Sequence, residues 1–184
     1  MSNPEILFGI YCPPHPQPLL SPDASEGYGK LRDAFETCRK RIEESEADLI
    51  LVYSTAWPSI IGHQIQGHPE PEWVHVDDDF HYLGSMPYKF KMDTEFAEKF
   101  RESAESRGLQ SRTVSYDGFP IDTGSIVALK LLNPDNRIPA CIVSSNMYAN
   151  RAETIVLGKS ARDAIGAQLK ERENDIEELQ HRYE

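Results

Sequence analysis

Leu49-Ile50-Leu51-Val52-Tyr53, followed by Ser54-Thr55-Ala56-Trp57-Pro58-Ser59-Ile60-Ile61-Gly62-His63, is the stretch that decides the fold class. An unbroken apolar run introduced by Asp48 reads as a strand buried on both faces. Such a strand belongs in a parallel sheet with helices on both sides. Ile6-Leu7-Phe8-Gly9-Ile10 is a similar run, so residues 5–11 read as another buried strand, halted by Pro13, Pro14, Pro16 and Pro18. Ile138 to Ser144 reads as a third core strand, with Pro139 near its start.

Helical spacing separates these runs. Leu31, Ala34, Phe35, Cys38 and Ile42 recur at helical intervals between Tyr28 and Ser45. Asp93 is placed to cap a helix that buries Phe96, Ala97, Phe100 and Ala104 and stops at Gly108. A strand is expected from Arg112 to Tyr116, a turn at Asp117-Gly118-Phe119-Pro120, and a helix from Ile121 to Leu132. The stretch from Ile65 to Lys91 lacks periodicity apart from a possible short strand at Trp73-Val74-His75-Val76. A long irregular insertion of this kind is more often functional than incidental. The C-terminal segment, about 153–184, reads as one long helix. Its end carries a short heptad-like stripe of Leu169, Ile176, Leu179 and Tyr183. The expected fold is therefore α/β, a mostly parallel central sheet flanked by helices with a long C-terminal helix, in a single domain spanning 1–184.

Composition narrows the function. A net charge of −11 argues against nucleic acid, whose partners carry basic patches. No apolar run approaches the roughly 20 residues that span a bilayer. The N-terminus has no signal-peptide pattern, so a cytoplasmic location is expected. Cys12, Cys38 and Cys141 are too widely spaced for a zinc site and read as small core hydrophobes.

The chemistry-bearing residues are histidines. His15, in Pro13-Pro14-His15-Pro16, and His63, in Ile61-Gly62-His63, each lie just past a predicted core strand. In open parallel sheets such positions share the ligand-binding crevice. Two imidazoles plus one carboxylate form the facial triad that holds non-heme Fe(II). The carboxylate is not evident. Isolated histidines also serve as ordinary hydrogen-bonding residues, and the same alternative applies to His68, His75 and His81. Asp77-Asp78-Asp79 reads as a solvated charge run, Tyr116 as a buried tyrosine with one hydrogen bond, and Asp122 as a helix cap.

Taken together, Pro14-His15-Pro16, the Leu49–His63 strand and loop, and Phe119-Pro120-Ile121-Asp122-Thr123-Gly124 resemble the class III extradiol ring-cleavage dioxygenases. Tyr53 to His63, Ser144-Ser145-Asn146 and Ala152 to Gly158 lean toward the 2-aminophenol dioxygenase branch. The resemblance implies Fe(II) held by His15 and His63, with a small aromatic substrate (a catechol or 2-aminophenol) and O₂ at the remaining positions. It implies an acid–base group nearby, for which His75 and Tyr116 are the candidates, and substrate contacts from Asp122 and Thr123. The family's glutamate ligand has no match here, and Thr123 stands where many relatives carry histidine. The resemblance further implies a homo-oligomer or a hetero-oligomer with a homologous subunit. The alternative function is a non-catalytic subunit that packs on a catalytic homologue.

Overall fold

The computed structural model describes residues 6–183, with the side chains of the last helix described as far as residue 174. Helix α1 (Gln17–Leu20) leads into α2 (Glu26–Glu44), then β1 (Ile50–Ser59), β2 (His63–Gln66), β3 (Glu72–His75) and β4 (Met86–Lys89). Helix α3 (Thr94–Ser106), β5 (Ser111–Val114), α4 (Thr123–Leu132), β6 (Ala140–Asn146) and α5 (Arg151–Tyr183) complete the order. The main sheet runs β1-β6-β2-β5. β1 is parallel to β6 and β2 is parallel to β5, while β2 meets β6 antiparallel. β3 and β4 form a separate antiparallel hairpin.

The central strand β6 shows why the fold has two helical layers. Ala140 and Ile142 enter one core cluster, with Phe35 and Ile42 of α2 and the apolar face of α4. Cys141 and Val143 enter the other, with Phe96, Phe100, Leu157, Ala161 and Ala164 from α3 and α5. Alternate side chains of a strand point to opposite faces, so both faces of β6 are buried. Phe96 and Phe100 are fully buried, each contributing roughly 1.5–3 kcal/mol relative to exposure. Asp93 caps α3 through the Phe96 N–H at 2.9 Å, and Ser25 caps α2 through the Tyr28 N–H. Among the described residues no helix is long and apolar enough to cross a membrane.

Several expectations need correction. Residues 6–15 are irregular rather than a strand. Their alternation is real: Phe8, Ile10 and Cys12 pack on the core while Ile6, Leu7 and Tyr11 are exposed. Side-chain packing holds the segment, including the Arg41 guanidinium 4.8 Å over the Phe8 ring, and no ladder forms. His15 therefore follows an irregular segment. The second predicted strand is longer than its apolar run, since β1 continues to Ser59 with an irregularity in its register between Ser54 and Pro58. His63 follows the end of β1 and itself opens β2. The stretch 65–91 is also less irregular than its sequence, because β3 and β4 pair within it. Ala34 faces solvent, and Leu51 and Tyr53 on the edge strand β1 are exposed. The side chains of Ile176, Leu179 and Tyr183, and so the heptad-like stripe, lie outside the described residues.

Candidate functional site

His63 owes its place to the residue before it. Gly62 has φ +86, and a Cβ built there would lie 2.2 Å from the Gln110 carbonyl oxygen. Only glycine lets the chain turn there and pass so close to Gln110. The His63 N–H then donates to that same carbonyl at 2.9 Å. The ring is 1% exposed, with Nδ1 3.3 Å from the Ser144 carbonyl oxygen near the carboxyl end of β6. Its Nε2 is buried, with no hydrogen-bond partner among the described residues. Leaving such an atom unpaired costs on the order of 1–3 kcal/mol.

His15 is positioned by prolines and by a second close approach. Pro16 is the N-cap of α1, and its carbonyl accepts the Leu19 and Leu20 N–H groups. Pro14 lies against Gly124 at the start of α4, where a Cβ would come within 2.9 Å of the Pro14 Cβ. The His15 ring is exposed and meets Phe80 edge to face, with centroids 6.0 Å apart.

The N-terminus of α4 gathers the remaining candidates. Asp122 caps the helix, accepting the Ser125 N–H at 2.9 Å and the Ser125 hydroxyl at 2.7 Å, so its carboxylate is engaged in the cap. His75, arriving from β3, places Nε2 2.9 Å from Thr123 Oγ1. The Thr123 hydroxyl donates a short hydrogen bond to Asp77 Oδ2. Asp77 Oδ1 accepts the Asp79 and Phe80 N–H groups, each at 3.0 Å. Burial pushes the Asp77 carboxyl up, yet the Thr123 hydroxyl, those two N–H groups and the nearby His75 bring it below the usual carboxylate value. The hairpin is tied to the same helix by the Ile121 N–H donating to the Tyr88 hydroxyl at 3.2 Å and by Lys130 Nζ donating to the Pro87 carbonyl.

Two of the sequence candidates thus meet directly, His75 and Thr123. His15 joins their neighbourhood through Phe80 and Pro14. His63 is held by β6 and Gln110, and no contact with the other candidates is seen among the described residues. Tyr116 is 63% exposed, not buried, and its ring is edge-on to Phe119. His68 bonds Asp117 at 3.0 Å, and His81 lies 3.4 Å from the Asp78 carbonyl. Asp77 was missed in the sequence because it opens a run of three aspartates that reads as solvated. Its signal was local: an aspartate whose side chain can accept N–H groups two and three residues on.

His63 has the character of a metal donor, with one ring nitrogen facing a backbone carbonyl and the other buried and unpaired. His15 offers a second imidazole. Among the described residues, however, no three histidine, cysteine, aspartate or glutamate side chains form a group that could hold a metal ion. The donors present do not fit a complete facial triad.

A family model described as the catalytic LigB subunit of aromatic ring-opening dioxygenase matches residues 9–173. The chain is 30% identical over 150 residues to the 2-aminophenol 1,6-dioxygenase alpha subunit of Pseudomonas sp, covering 81% of this chain and 55% of that one. It is 32% identical over 180 residues to the beta subunit from Pseudomonas sp, covering 90% and 59%. It therefore spans little more than half the length of these relatives. Among solved structures, a pyrrolidone carboxyl peptidase mutant from Pyrococcus furiosus aligns over 74% of this chain and 77% of its own at 12% identity with a TM-score of 0.48, too loose a likeness to bear on function. The extent of the family match and the identity to both subunits agree, and the chain belongs to the family of the catalytic LigB subunit of aromatic ring-opening dioxygenases.

Proposed function

We propose that this chain takes part in extradiol-type ring cleavage of a catechol or 2-aminophenol, contributing His63 and His15 as two of the three donors to Fe(II). The third donor is an unidentified residue, a solvent ligand or a residue of a partner chain. The observation that carries the reading is the buried, unpartnered Nε2 of His63, within the stretch that matches the family. Bound iron would supply Lewis acidity toward the substrate's paired oxygen or nitrogen atoms and redox chemistry with O₂. The chain's own residues have separate tasks: Gly62 and Ser144 orient the His63 ring, Pro14 and Phe80 position His15, and His75 is the proton acceptor beside α4.

The test is Fe(II) bound per chain after anaerobic reconstitution, for wild type beside His15→Ala and His63→Ala, with O₂ uptake measured on catechol and 2-aminophenol. Iron retained by wild type and lost in both variants is the expected result. Iron binding indifferent to both histidines would overturn the reading. A second reading, a non-catalytic subunit packed on a homologue, is favoured by the alpha and beta subunits among its relatives and by exposed Leu51 and Tyr53 on edge strand β1. It predicts copurification with a longer homologue that survives His15→Ala.

A further inference from the structure

The geometry points to Asp77 as a positioning residue: through the Thr123 hydroxyl it holds neutral His75 with its proton on Nε2, leaving Nδ1 as the basic nitrogen. A threonine hydroxyl has one proton to donate and lone pairs to accept with. In the structure that proton goes to Asp77 Oδ2. Nε2 of His75 lies 2.9 Å from the same oxygen, which can then only accept, so Nε2 must be the donor. The reverse arrangement, with Thr123 donating to Nε2, would require a protonated Asp77. Its hydrogen bonds from the Asp79 and Phe80 N–H groups oppose that.

Two segments far apart in sequence meet in this relay, one carrying His75 and Asp77 and the other Thr123. Thr123 is the first residue of α4, below the Asp122 cap. His75 ends β3, paired with Met86. Asp77 closes the turn that carries Phe80 against His15, so the relay adjoins one proposed iron donor. In the ring-cleavage reading, on which this role rests, a proton leaving a substrate hydroxyl or amine is taken by His75 Nδ1. The resulting imidazolium keeps its Nε2–H on Thr123, and its charge faces the Asp77 carboxylate across that hydroxyl. Asp77 touches no reacting atom; it acts through Thr123.

The test is ¹⁵N–¹H NMR of the imidazole nitrogens of the metal-free full chain, which does not depend on iron binding. Failure of the iron site and failure of the relay are therefore distinguishable. In wild type the expected result is neutral His75 protonated on Nε2, with a proton resonance that resists exchange with water. Asp77→Ala and Thr123→Val should each lose that protected resonance, and Thr123→Ser should restore it. The Thr123→Val and Thr123→Ser pair decides the matter if Asp77→Ala fails to fold. A wild-type His75 protonated on Nδ1 overturns the inference, as does an Nε2 proton equally protected in Thr123→Val.

Discussion

Pro14 and Gly124 approach so closely that the structure leaves no room for a side chain between them: a Cβ on Gly124 would sit 2.9 Å from the Pro14 Cβ and 3.3 Å from its Cα. The contact joins the His15 loop to the start of α4, where His75 and Asp77 also converge. Neither partner can yield by rotating a flexible side chain, because one is a proline ring and the other a helix backbone. Gly124→Ala should therefore cost about 1–3 kcal/mol, the usual range for overpacking. It should also weaken any iron binding that depends on His15. Urea denaturation and iron titration of the same preparation check both. A variant as stable as wild type would show that the loop shifts freely and that Gly124 does not position His15.

His63 lends itself to a substitution that separates stability from function. Its Nε2 is buried without a partner among the described residues, so an apolar side chain of similar size removes an unsatisfied buried polar atom. His63→Leu should leave the metal-free chain within about 1 kcal/mol of wild type, or above it. Added Fe(II) should raise the melting temperature of wild type alone, since a ligand stabilises only the form that binds it. A large loss of stability in the metal-free variant would mark His63 as a structural residue satisfied by its Ser144 contact.

What could be read in the sequence divides along one line. Helix α3 matches expectation residue for residue, with its Asp93 cap and its buried Phe96, Ala97, Phe100 and Ala104, because capping and helical periodicity are local. The core strand β6 was legible from its apolar run for the same reason. Pairing is not local. Whether residues 6–11 find a strand partner depends on the rest of the sheet, and their alternation alone could not reveal that they pack without a ladder. Strand β3 answers the short strand expected at Trp73-Val74-His75-Val76, but its partner β4 was hidden because Met86, Pro87, Tyr88 and Lys89 alternate over too few residues to stand out. His75 was singled out as a candidate, but its contact with Thr123 crosses 48 positions. Its third member, Asp77, was masked by its acidic neighbours.

Asp77 should also leave a mark on acid stability. Its folded carboxyl titrates below the ordinary value, about 3.9 in an unfolded chain. The sign follows directly: a depressed folded pKa adds stability above the unfolded value, which is lost as pH falls through the folded one. Melting temperature against pH should therefore fall more steeply for wild type than for Asp77→Ala, in the window from about pH 4 downward. Parallel acid limbs for the two proteins would mean that the hydrogen bonds to Asp77 do not persist in solution.

Cys12 provides a last check on the N-terminal segment, because it lies three residues before His15 and could be mistaken for a metal-ready thiolate. Burial pushes its thiol up to about 11, with Cys38 nearby adding to the effect. The thiolate is the reactive species, so at pH 8 only about one Cys12 in a thousand would be ionised, against roughly one in four for an ordinary thiol near 8.5. Alkylation at pH 8, followed residue by residue by mass spectrometry, should be on the order of 100-fold slower at Cys12 in the folded chain than in urea. Rapid labelling would show that residues 6–12 leave the core readily. Without a ladder to hold them, their position depends on the packing of the Phe8, Ile10 and Cys12 side chains, and His15 would move with them.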